Sequence, residues 1–141
     1  MKYLKCFESL QQTCFEITKV EYDKLRDKNV DEIEYEIPIN NLYNIIKKQT
    51  DILFESKNCT FSQINKQRQI DLTYTIPVEN KKPIEVNITM WEIYDLWFLG
   101  YVLVYNKGEH FYFKCDQEHG LKNFAKELGP IINEIIDNVY L

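Results

Sequence analysis

"QIDLTYTIPVENKKPIEVNITM", residues 69–90, decides the fold. Over 69–76 the apolar side chains fall at Ile70, Leu72, Tyr74 and Ile76. Over 84–90 the same two-residue period recurs at Ile84, Val86, Ile88 and Met90. Successive side chains of a strand point to opposite faces, so each run buries one face and wets the other. The "VENKKP" between them has turn composition, and the pair reads as a β-hairpin.

Downstream lies "IYDLWFLGYVLVYN", residues 93–106, the most apolar stretch of the chain. A bend is expected near 91–96. The near-continuous apolar run then fits a strand covered on both faces. Gly100 in its middle has two readings. It marks a bulge or a close approach of neighbouring backbone, or it makes room for a planar ligand. On the second reading Trp97 and Tyr101 are the stacking rings, each worth roughly 1–3 kcal/mol per base. "NKGE" (106–109) is a turn in which Gly108 suits a positive φ, and "HFYFKC" (110–115) is the returning strand.

Upstream, "TCFEI" (13–17) reads as a short strand. "TKVE" (18–21) is a capping box in which Thr18 can accept from the Glu21 amide, with Ile17 and Tyr22 placed as a hydrophobic staple. A helix follows to about Lys28, Tyr22 and Leu25 facing inward. "DEIEYEIPIN" (31–40) alternates strictly: Ile33, Tyr35 and Ile37 on one side, Glu32, Glu34 and Glu36 on the other, with Pro38 ending it or marking an edge. Leu42, Ile45, Ile46 and Leu53 predict a helix over 41–57, and Asn58–Asn65 a loop. The tail, Gly120–Leu141, is helical by its stripe of Leu121, Phe124, Ala125 and Leu128, then Ile131, Ile132, Ile135, Ile136 and Val139. Gly129-Pro130 is expected to break or kink it. The class is α+β: an antiparallel or mixed sheet with flanking helices and a C-terminal helical segment, in a single domain over 1–141.

With 141 residues the chain can bury a core of its own, and its net charge is −5. That balance lacks the basic surplus of most nucleic-acid binders, although it leaves room for a local basic patch. It fits a basic protein partner, for which Glu32, Glu34 and Glu36 form a docking row unless they are merely the wet side of a strand. Lys2, Lys5 and Glu8 interrupt any signal-peptide core, and the longest apolar run, Leu96–Tyr105, is far short of a membrane span. A cytoplasmic protein without membrane contact is expected. Cys6, Cys14, Cys59 and Cys115 have no C-x-x-C spacing, so zinc is not expected and the thiols are read as reduced. Four glycines, at 100, 108, 120 and 129, provide no phosphate-cradling loop, and no cofactor or metal is expected. His119, near Asp116 and Glu118, reads as part of a solvated turn, and His110 as an exposed strand residue.

The segment from Gln69 to Phe113 resembles the N-terminal half of the ribosome-inactivating proteins, the ricin and Shiga toxin A-chain type of rRNA N-glycosylase. The pieces that carry it are "QIDLTYTIP", "IEVNITMWEIYD", "LWFLGY" and "HFYF", with "YDKLR" (22–26) and "EIP" (36–38) upstream. The resemblance implies a toxin-like protein acting on ribosomal RNA. Trp97, where the family usually has tyrosine, would stack on the target adenine, and the Phe98 backbone would bond the base edge. A base taken out of its stack is read in this way by other base-flipping enzymes. The family cleaves the adenine with a glutamate that stabilises an oxocarbenium-like sugar and an arginine one helical turn on. Here "NEIIDNV" (133–139) has Glu134, but Asp137 stands where the arginine is needed, and an aspartate cannot supply its charge. The predicted helix at 41–57 is a further departure from the family. What the resemblance implies is therefore the binding half of such a site, inactive alone.

Overall fold

The computed structural model describes residues 14–29, 40–66, 69–94, 97–116 and 120–141. Six antiparallel strands form one sheet: β1 (Cys14–Ile17), β2 (Thr60–Lys66), β3 (Gln69–Val78), β4 (Lys81–Tyr94), β5 (Trp97–Val104) and β6 (Glu109–Asp116). Their spatial order is β1-β6-β5-β4-β3-β2, a meander from β2 to β6 with β1 added beyond β6. Among the described residues three α-helices accompany the sheet: α1 (Lys19–Asn29), α2 (Asn40–Phe54) and α3 (Phe124–Asp137). The fold is α+β. Among the described residues no helix is long and apolar enough to cross a membrane.

The hairpin lies where its alternation places it. Ile70 pairs with Met90, Leu72 with Ile88, Tyr74 with Val86 and Ile76 with Ile84, and all eight are buried in one core. Glu79-Asn80 closes it, Asn80 taking a left-handed φ of 63°. The ladder shifts register between Ile76 and Val78, at Pro77, which has no N–H to give.

That inner face carries α2 and α3. Ile46, Leu53 and Phe54 of α2 join Phe124, Leu128, Ile132 and Ile136 of α3 over Phe98, Val102, Phe111 and Phe113. Gln49 Oε1 accepts from the Ala125 amide at 3.1 Å, partnering one of the N–H groups that the first turn of α3 leaves free. At the other end Lys107 Nζ donates to the Asn138 carbonyl at 3.2 Å, and Tyr140 Oη to the Lys82 carbonyl at 2.6 Å. The outer face is divided. Over β3 and β4 it is polar, with the Thr89 hydroxyl donating to Asp71 at 2.8 Å and Asn87 Nδ2 to Thr73 Oγ1 at 3.1 Å. Over β4, β5 and β6 it is covered by α1, whose Tyr22 and Leu25 pack with Ile17, Ile93 and Leu99. The cap that starts α1 is present: Thr18 Oγ1 accepts from the Glu21 amide at 3.1 Å.

One expectation is narrowed and two are corrected. Of a break or a kink at Gly129-Pro130, the break is absent: α3 runs through Pro130. An internal proline costs about 3 kcal/mol. Ile132 and Ile136 beyond it are buried, and each buried isoleucine returns about 1.5–3 kcal/mol, so the helix continues. Gly129 assists, since a Cβ there would stand 3.1 Å from Leu53 Cδ1 of α2. Second, Asn58–Asn65 is not all loop: β2 occupies Thr60–Lys66 and pairs with β3 from Thr60↔Thr75 to Lys66↔Gln69. Its polar composition hides an edge strand that exists because β3 offers it a ladder. Third, the cysteines are not all reduced. Cys14 and Cys115 stand directly opposite each other on β1 and β6, Cα atoms 4.2 Å apart and fully buried, and form a disulfide. A separation of 101 residues carries no spacing signal, and only the β1–β6 register brings them together. Cys59 is free. The expected strand over 31–37, with Glu32, Glu34 and Glu36, and the His119 turn lie outside the described residues.

Candidate functional site

Gly100 is answered by its neighbours. It lies opposite Met90 and Phe113 on the inner face. A Cβ at Gly100 would meet the Thr89 carbonyl oxygen, stand 2.5 Å from Phe113 Cζ and 3.0 Å from Met90 Cβ. The glycine makes room for the Phe113 ring and for backbone, not for a ligand. β5 is covered on both faces around it, with Phe98 and Val102 fully or almost fully buried on one side and Leu99 on the other.

The three residues singled out for base binding therefore separate. Trp97 and Tyr101, four residues apart on one strand, share the outer face. Phe98 faces the opposite way into the main core, and its backbone sits in ladders to Glu92 on β4 and Cys115 on β6. With both sides of the strand paired, a role for the Phe98 backbone at a base edge does not fit this geometry.

Around Tyr101 the sheet and α1 build a cleft. The hairpin turn at 105–108, with Gly108 at φ 67°, sets Tyr101 opposite Tyr112 and Leu103 opposite His110. The first-turn cap of α1 aims Tyr22 at the same place. The Tyr22 ring lies 4.6 Å from Tyr112 and 6.3 Å, edge-on, from Tyr101, while the His110 and Tyr112 rings lie parallel at 6.1 Å. The cleft, about 160 Å³, is completed by Lys19, Asp23 and Arg26 of α1. Arg26 sits 5.9 Å over the Tyr22 ring. Lys19 Nζ meets Asp23 Oδ2 at 3.1 Å, and Arg26 reaches Asp23 at 3.7 Å and Asp27 at 3.5 Å. Burial pushes the Tyr22 hydroxyl above its ordinary value, and the Asp23 hydrogen bond does the same for the Lys19 ammonium. Next to the cleft, Trp97 packs edge-on against Phe15 at 6.2 Å with Lys114 Nζ 4.6 Å over its ring. The outer face thus alternates rings with cations: Trp97, Lys114, then the tyrosines, then Arg26 and Lys19.

A second polar cluster lies between α2 and β3. Tyr74 Oη bonds the Thr50 hydroxyl and donates to Asp51 Oδ1 at 3.2 Å, and Lys47 Nζ meets Asp51 Oδ2 at 2.7 Å. Burial is the largest of the causes that raise the Tyr74 pKa far above the ordinary tyrosine value. Beside it runs an open groove of about 620 Å³ lined in part by Lys48, Asp51, Ile52 and Cys59. Among the described residues no group of three or more His, Cys, Asp or Glu side chains could hold a metal ion.

Apart from Tyr101, the residues of the cleft, Lys19, Tyr22, Asp23, Arg26, His110 and Tyr112, were not among the expected site residues. Tyr112 was within reach, because a turn at Gly108 fixes which residue faces Tyr101. Tyr22 and Arg26 were not, because nothing local says which part of the sheet a helix will cover. No protein-family model matches the chain, and comparisons with curated proteins and with solved structures likewise find no match.

Proposed function

We propose that the protein is a non-catalytic binder of a flat, adenine-type base, as expected of the stacking half of an RNA adenine N-glycosylase without its chemistry. One observation carries this reading: Trp97 and Tyr101 project from the same face, and Tyr101 opens onto a ring-lined cleft. Stacking on such platforms is tolerant of base identity and is strengthened by nearby cations such as Lys114. Cleavage is not part of the proposal. Glu134 is exposed on α3, the helix that covers the opposite face of the sheet, with Asp137 one turn on. Stacking gives ground-state binding, which does not by itself accelerate bond breaking. Adenosine added to the full chain should quench tryptophan emission, and Trp97→Phe should remove most of that change while Trp91 remains. Ribosomes incubated with the chain should release no adenine. An emission spectrum indifferent to millimolar adenosine would sink the reading.

A second reading, an acidic inhibitor or immunity-type protein with a basic protein partner, is favoured by the net charge of −5. Under it, replacing Glu32, Glu34 and Glu36 together by glutamine slows association with that partner and leaves folding intact, because complementary charges mainly steer encounter.

A further inference from the structure

We infer that the cleft between α1 and strands β5 and β6 binds a planar ring that carries a phosphate, a mononucleotide being the simplest case. The ring lies on Tyr101 and Tyr112 beside His110, and the phosphate is held by Lys19 and Arg26. This rests on the base-stacking reading above and adds an anion subsite to it.

The space is small: a cavity of about 150 Å³ admits a benzene molecule, and the cleft is about 160 Å³, so one ring of a base enters it and the rest of a mononucleotide stays at the rim. Its walls select an aromatic ring with a polar edge, since the half-buried Tyr101 and Tyr112 and the exposed His110 offer ring surface and polar groups, while the Tyr22 ring is buried behind them. The rim selects the charge. Lys19 and Arg26 are two-thirds and one-half exposed, and both lean on Asp23. Exposed pairs of this kind hold weakly. The Arg26 contacts, at 3.5 and 3.7 Å, are longer than directed hydrogen bonds. A phosphate accepts the guanidinium fork through two parallel bonds, the stronger arrangement. Exchanging Asp23 and Asp27 for a phosphate therefore loses little and gains charge-assisted bonds. Arg26 already stands over the Tyr22 ring, so a base lying in the cleft brings its phosphate within that side chain's reach.

The test titrates the full chain with adenosine, AMP, inorganic phosphate and a five-residue adenine RNA oligomer lacking terminal phosphates. AMP is expected to bind about tenfold or more tighter than adenosine, and the advantage should shrink as salt is raised. Inorganic phosphate alone should bind more weakly than either. Arg26→Gln and Lys19→Gln, both at exposed positions, should remove the advantage of AMP over adenosine, the two ligands being compared on each variant. If the oligomer matches AMP, the phosphate recognised is an internal one of single-stranded RNA; if only AMP gains, it is that of a free nucleotide. Equal affinity for adenosine and AMP, or an AMP preference that survives Arg26→Gln, overturns the inference and leaves base stacking standing. No binding of adenosine or AMP overturns both.

Discussion

Replacing Gly100 by alanine separates a packing glycine from a ligand-accommodating one. The new Cβ would stand 2.5 Å from Phe113 Cζ and 3.0 Å from Met90 Cβ, and would press on the Thr89 carbonyl oxygen. None of these can withdraw easily. The Phe113 ring is fully buried and packs edge-on against Phe124 at 5.4 Å, and the Thr89 carbonyl belongs to an interior strand. Overpacking a tight core costs about 1–3 kcal/mol. A clash that includes backbone belongs at the top of that range, so the expected loss is about 3 kcal/mol. In a chain of this length it lowers Tm by roughly 6–12 °C. Urea unfolding of the two proteins, followed by circular dichroism, gives the difference directly. A loss below about 0.5 kcal/mol, the range of an ordinary surface change, would refute the packing argument. Unchanged stability with weakened adenosine binding would return Gly100 to the ligand.

Three further outcomes are expected. Tyr74→Phe should cost about 1–2 kcal/mol by leaving the Thr50 and Asp51 oxygens short of a partner; a neutral effect would mean that water replaces the phenol. Because the folded-state pKa of Tyr74 is raised, its contribution is intact below about pH 10, where both states are protonated, and falls as pH rises further and the unfolded chain ionises first. Wild type should therefore lose more stability than Tyr74→Phe between about pH 8 and pH 11, and equal losses would contradict the assignment. A non-reducing digest should yield a peptide containing Cys14 linked to one containing Cys115, with Cys59 alkylated; separate Cys14 and Cys115 peptides would contradict the pairing.

How much of this was legible in the sequence follows from what each signal depends on. The hairpin of β3 and β4 and the strand pair around Gly108 were legible because alternation and turn chemistry are local and agree with the packing they produce. The α1 cap was legible for the same reason. β2 was not, because an edge strand with polar side chains owes its existence to its neighbour rather than to its own pattern. For α3 the helix was legible but its continuity through Pro130 was not, because the penalty at Pro130 is local while the compensation from Ile132 and Ile136 is tertiary. Of the site, Trp97 and Tyr101 could be named from their composition and spacing. Their common face follows from an even separation along a strand, and the same rule sends Phe98 to the other side. The cleft itself required knowing where α1 lies, and the disulfide required the β1–β6 register.

The claim that matters most is that the outer aromatic face is a base-binding surface, and ring-resolved NMR during an AMP titration tests it most directly. The account predicts upfield shifts of the Tyr101 and Tyr112 ring protons, with smaller shifts at Tyr22 and Trp97 and none at Phe98 or Phe113 on the inner face. Saturating AMP that leaves the tyrosine signals of the cleft unmoved, or moves only residues lining the groove beside α2, contradicts it.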